Sequence, residues 1–209
     1  MISDEKTVSS FIRELASPSP APGGGAAAAV AISLASALGS MAAGLTSQNR
    51  NYVLLRDETE RLCSECETLS RSLLECIDRD AEGFLPLAAV YKMSRDSADR
   101  EQKLQQAART ACDAPLEMIR LSEKLCLLLE HLLPNCSRSL LSDVGCAAVL
   151  CRAGTECAFM NVAVNLSLMR SSPETLSLRE QSEASLSDLT FRLDRIRLAV
   201  EESLKGPVA

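Results

Sequence analysis

Residues 17–45, "SPSPAPGGGAAAAVAISLASALGSMAAGL", contain no charged side chain. Pro18, Pro20 and Pro22 hold the first part extended, because each fixes its own φ and pushes its predecessor out of the helical region. Gly23, Gly24 and Gly25 follow, and then a helix of very small residues from about Gly25 to Leu45. A membrane span, a backbone cradle for a ligand and a tightly buried core helix all suit such a stretch. Its length would allow a span, but Ala, Ser and Gly supply little transfer energy and no aromatic or basic anchors flank it. The four-residue step of Ala27, Ala31, Ala35, Gly39 and Ala43 predicts instead a central helix gripped on all sides. Ser33, Ser36 and Ser40 share a stripe and can return their hydroxyls to carbonyls a turn back. The first amides of this helix lack intrahelical partners, so Gly23–Gly25 can receive an anion or a polar ligand edge. Glycines that merely make the turn fit the same spacing equally well.

The rest of the chain reads as helix throughout, with no sustained alternation that would mark a strand. Ser3 can cap a first helix whose apolar face is Val8, Phe11, Ile12 and Leu15. A long helix starts near Tyr52 with a face of Leu62, Cys66, Leu69, Leu73, Ile77, Asp80, Phe84 and Leu87, and Gly83 and Pro86 should kink or break it. A helix through Leu104, Ala107, Ala108 and Ala111 follows a polar bend, and Pro115 marks a kink or restart before a segment running to Pro134. The next helix reaches Met169. Ser172-Pro173-Glu174 opens the last one, whose Leu186, Leu189, Leu193, Ile196, Val200 and Leu204 suit packing along another helix. The expectation is a single all-α domain over 1–209, a multihelical bundle around the small-residue helix.

Composition narrows the function. A net charge of −6 and a pI near 5.0 argue against nucleic acid, which needs a concentrated basic surface. The N-terminal "MISDEKTVSS" is polar and acidic, unlike a signal peptide, and nine scattered cysteines suit reduced thiols in the cytoplasm. Cys63 and Cys66 form a C-x-x-C with no second pair at metal spacing, so buried thiols acting as small hydrophobes fit better than zinc or redox chemistry. No metal site is expected. His131, the single histidine, would have to serve any Ser–His or Cys–His scheme, and a helix-end or core position suits it better. Only 3% of residues are aromatic, so Leu, Ala, Val and Ile must build the core. A lone subunit with an Ala-built helix and an apolar last helix would leave apolar surface exposed, which predicts a dimer.

Two carboxylates stand out. Asp80 falls on the apolar face of the long helix, where burial without a partner is costly; a salt bridge or cap is one explanation, proton transfer another. Asp143, in "SDVG", shares a face with Ala147, Leu150, Gly154, Cys157, Asn161 and Asn165. Small residues with polar ends describe a groove wall better than a packing face, although Asp143 alone could be an N-cap.

"FIRELASPSPAPGGGAAAAVAISLASALGSMAAGLT", "LLECIDRDAEGF", "LLSDVGCAAVL" and "AFMNVAVNLSLM" together resemble the formiminotransferase-cyclodeaminase C-terminal family, in order and over nearly the whole chain. That family includes stand-alone bacterial methenyltetrahydrofolate cyclohydrolases. The resemblance implies an intertwined all-helical homodimer with a folate site in a cleft near the subunit interface. It implies one of two reactions, neither needing a metal or a cofactor besides the tetrahydrofolate substrate. In a cyclohydrolase, water attacks the amidinium carbon of 5,10-methenyltetrahydrofolate; in a cyclodeaminase, N10 attacks the 5-formimino carbon and ammonia leaves. Both need a positioned carboxylate. Asp80 is the first candidate and Asp143 the second. Gly23–Gly25 would take a pterin or carboxylate edge, Arg50 the glutamate tail, and Tyr52, Asn161 and Asn165 complete the expected binding set. The cyclohydrolase is preferred because no formiminotransferase domain is attached; a non-catalytic folate-binding scaffold is the alternative of another class. Two family positions differ: "LTSQNRNY" keeps only Arg50 and Tyr52 of a usual Gly and Lys-rich run, and "YKMSR" has Ser94 where the family has Pro.

Overall fold

Among residues 6–205, the part of the chain that the computed structural model describes, every regular element is a helix. In chain order these are α1 (Val8–Leu15), α2 (Gly24–Ser47), a 3-10 turn (Arg50–Leu55), α3 (Arg56–Tyr91), α4 (Arg100–Ala111), α5 (Asp113–Asn135), a short 3-10 turn (Arg138–Leu140), α6 (Leu141–Ser167) and α7 (Pro173–Leu204). The expected Ser3 cap lies outside the described residues; Thr7 caps α1 by accepting from the Ser10 amide. Ser172 caps α7 in the same way, ahead of Pro173.

Small residues let α2 sit deep in the bundle. Along α3 the two helices run antiparallel, from Gly25 beside Asp80 to Gly44 beside Cys63. Ser33, Ser36 and Ser40 do not bond back along their own helix. Ser36 donates to the Cys66 carbonyl at 2.7 Å, Ser33 meets Ser70 and Ser40 meets the Cys63 thiol. A hydroxyl facing a neighbouring helix at close range finds that helix's polar atoms before its own. Against α6 the contact is closer still. A Cβ on Gly154 would overlap the Ile32 side chain and stand 3.0 Å from the Ala28 carbonyl oxygen. The Gly154 face of α6 is thus a packing face, where a groove wall was expected.

The fourth side of α2 is open. Leu34, Met41 and Leu45 are 52%, 41% and 47% exposed, so the helix is gripped on three sides only. On α6, Val149, Met160 and Val164 are exposed as well, with Cys146 and Cys157 between them. The helical phases place this stripe on the same side of the bundle as the open face of α2, away from α5. By length and composition α2 and the segment 138–167 could each cross a membrane, but each buries its small-residue face against other helices of the bundle.

Two expected breaks differ. Pro86 does not interrupt α3, because Pro86 and Glu82, whose carbonyl loses a partner, both face solvent, while Leu87 and Val90 hold the following turn against α4. Pro115 falls in the first turn of α5, a restart after Cys112. On α1 the expected apolar face is split: Phe11 packs on the core, whereas Val8 and Ile12 are exposed. In α7, Leu189, Leu193, Ile196 and Val200 are buried and Leu204 is not.

Candidate active site

Helix α2 starts without a side-chain cap, since its N-cap residue is Gly23. Its first intrahelical bond runs from the Ala27 amide to the Gly23 carbonyl at 3.1 Å, so the amides of Gly24, Gly25 and Ala26 precede it. Asp80 of α3 closes this end. Its carboxylate accepts a hydrogen bond from the Ala26 amide and occupies the space a Cβ on Gly25 would need, within 2.5 Å of Oδ2 and nearer still to Oδ1. Any side chain at position 25 would evict the carboxylate. Asn161 of α6 borders the same spot. A Cβ on Gly24 would stand 3.4 Å from its Nδ2, and that amide donates to the Cys157 carbonyl at 2.8 Å. Gly23 has open space around its Cβ position.

Burial pushes the Asp80 carboxyl above its ordinary range, and the Ala26 amide pulls partly the other way. No ion pair involves Asp80 among the described residues. It is a cap supplied from another helix, desolvated and without a balancing cation. Such a group can hold or release a proton near a cationic ligand, while the Gly24 and Gly25 amides can take an anionic or carbonyl edge.

The other candidates lie elsewhere. Arg50 and Tyr52 belong to the 3-10 turn after the C-terminal end of α2, roughly 35 Å from Gly24 along the helix axis. Asp143 stands in the first turn of α6 without capping it, ~27 Å from Asn161 on the same unbroken helix. One subunit therefore does not bring these three to Asp80. Asn165 is buried and donates to the Ala111 carbonyl at 2.8 Å, tying α6 to the α4–α5 junction; it is a structural link and not the open binding group expected. His131 is exposed on α5, neither core nor beside Asp80. Cys66 is buried, and desolvation pushes its thiol up to about 12, the wrong direction for redox work. Cys146 and Cys157 break the buried-thiol expectation. Sequence reasoning missed the Ala26 amide. The signal was available: a long helix beginning on glycines, with no Ser, Thr, Asp or Asn in place, needs an acceptor from elsewhere.

Residues 7–184 match the Formiminotransferase-cyclodeaminase family. The chain is 32% identical over 168 residues to a methenyltetrahydrofolate cyclohydrolase of Methylorubrum extorquens, covering 78% of this chain and 81% of that one. It is 30% identical over 166 residues to the formimidoyltransferase-cyclodeaminase of Rattus norvegicus, of which the match covers 31%. The crystal structure of a formiminotetrahydrofolate cyclodeaminase from Thermotoga maritima superimposes with a TM-score of 0.82 at 28% identity, over 97% of this chain and 98% of that one. Fold, length and sequence agree, and the chain belongs to the formiminotransferase-cyclodeaminase family.

Proposed function

We propose that the protein is a methenyltetrahydrofolate cyclohydrolase, converting 5,10-methenyltetrahydrofolate to 10-formyltetrahydrofolate in the cytoplasm. The observation that carries this reading is Asp80, a desolvated carboxylate with no cation, seated on the uncapped start of α2 beside Gly24, Gly25 and Asn161. The amidinium of the substrate supplies the missing positive charge. Water attacks the amidinium carbon and gives one proton to Asp80; the bond from that carbon to N5 then breaks as Asp80 returns this proton to N5, and the carbinolamine hydroxyl, becoming the formyl carbonyl, releases its remaining proton to solvent. The Gly24 and Gly25 amides hold a pterin edge and Asn161 positions the ring. No cofactor besides the folate takes part.

The cyclodeaminase of Thermotoga maritima favours a second reading on the same site, in which Asp80 serves proton transfer as N10 displaces ammonia. The assay that separates them follows methenyltetrahydrofolate absorbance from each side. The cyclohydrolase speeds its loss above spontaneous hydrolysis; the cyclodeaminase speeds its appearance from the 5-formimino compound. A folded protein that does neither is a binding scaffold.

The same reading includes a homodimer. Leu34, Met41 and Leu45 with Val149, Met160 and Val164 form an exposed apolar face, edged on α6 by Arg152 and Glu156, that a second copy would cover. If the two copies of α2 run antiparallel, the partner's turn carrying its Arg50 and Tyr52 comes toward Gly23–Gly25, and Asp143 comes with it. In that arrangement the candidates that one subunit keeps apart contribute to one cleft.

A further inference from the structure

Two apolar patches lie bare at opposite ends of α2. Val8 and Ile12 of α1 and Val53 of the 3-10 turn are each more than half exposed, and Leu54 beside Val53 is 96% exposed. Both patches sit on ordered segments. Phe11 seats α1 on the core, and residues 17–22 tie it to the start of α2. The turn is fastened by Arg56, whose Nε donates to the Ser47 carbonyl at 3.2 Å, and by the Asn49 side chain, which accepts from the Asn51 amide at 3.0 Å. Paired apolar side chains held in water by a fixed backbone mark a contact surface.

The α1 patch borders the open face of α2. Glu14, bonded to Lys6, lines a small cavity with Asp78 and Glu82 of α3. Val8 and Ile12 are on the opposite flank of Phe11 and turn the other way. Ile77 and Ala81, in the same cavity, continue the edge of α3 on which Ser70 and Cys63 meet the α2 serines. The bare flank of α1 is thus the one nearer the open face. A two-fold that sets Leu34 against the partner's Met41 also sets Val30 against the partner's Leu45 and Ala31 against the partner's Gly44, since antiparallel helices advance equally, by about 1.5 Å per residue. Large then meets large and small meets small. The same register sets Gly23 against the partner's Tyr52, and the partner's Val53 and Leu54 arrive beside residues 17–22 and α1. A parallel pair would leave both patches in water. We infer that α1 is the seat for the partner's 3-10 turn. Val8 and Ile12 cover the partner's Val53 and Leu54 and so hold the partner's Arg50 and Tyr52 over the Gly23–Gly25 cleft. This rests on the antiparallel dimer given above.

The experiment co-expresses Ile12→Glu and Leu54→Lys subunits, told apart by a mass tag, and counts dimers by native mass spectrometry, beside sedimentation of the wild type. Both positions are exposed within the subunit, so each variant should keep its fold. In a hybrid, one contact pairs the two introduced charges and the other is unchanged. Each homodimer instead sets a charge against an apolar side chain twice. The squared hybrid population over the product of the homodimer populations should therefore exceed its random value about tenfold. Each variant alone should raise the KM for methenyltetrahydrofolate about tenfold, and the hybrid should recover most of that loss. A wild-type dimer with random pairing overturns the inference and leaves the dimer standing, whereas a wild-type monomer overturns the dimer and the seat with it. Selective pairing with unchanged KM overturns the role in holding Arg50 and Tyr52. The population count needs no turnover, so it decides the contact even in an inactive protein. Val8→Glu with Val53→Lys carries the same comparison if either first variant fails to fold.

Discussion

Because burial raises the Asp80 pKa, the folded chain holds that proton more tightly than the unfolded chain does. Its contribution to stability is then fully present below the ordinary Asp range near pH 4, and is lost as pH rises through the folded value. Asp80→Asn keeps an acceptor for the Ala26 amide and removes the buried charge. Its Tm should therefore exceed the wild-type value by about 2–4 °C at pH 7, equivalent to ~1 kcal/mol in a chain of this size, and the difference should vanish toward pH 3 in a melting series. A stabilised variant that loses turnover separates catalysis from structure. Gly25→Ala tests the same contact from the other side: displacing the carboxylate should lower kcat by ~10²-fold, as steady-state rates will show.

At the scale of elements, the α2–α6 contact has no slack. Gly154→Val would force β-branched atoms into the Ile32 side chain and the Ala28 carbonyl, neither of which can move without shifting α2. A loss of roughly 2–3 kcal/mol, read by chemical denaturation, is expected. The helices themselves were legible because their periodicity is set locally: Ser172-Pro173 fixes the start of α7, and Asp80 stands out on its face from spacing alone. What each face meets was not legible. The small residues around Gly154 read equally as a groove or as a seam, and only the presence of Ile32 opposite decides. Asn165 looked like a binding group for the same reason, since nothing in its neighbourhood names the Ala111 carbonyl as its partner. Pro86 read as a break because sequence does not show that its side of α3 faces water.

Over the whole molecule, the two ends of α2 carry different chemistry, Asp80 and Asn161 at one and Arg50 and Tyr52 at the other. The dimer proposed from the open α2–α6 face makes this division testable. Met41→Glu should convert the dimer to monomer in sedimentation at micromolar concentration and abolish activity, because a charge on that face cannot be buried against its copy. Mixing Asp80→Asn with Arg50→Ala subunits should restore part of the activity that neither homodimer has, since one of the two clefts in a hybrid is intact. Hybrids as inactive as their parents would place each cleft within one subunit. The most direct test of the central claim is the rate of methenyltetrahydrofolate hydrolysis by Asp80→Asn relative to wild type at equal folded concentration, corrected for the spontaneous reaction. A loss of ~10²-fold or more with KM little changed is expected; a variant that turns over as fast as the wild type would rule out proton transfer by Asp80.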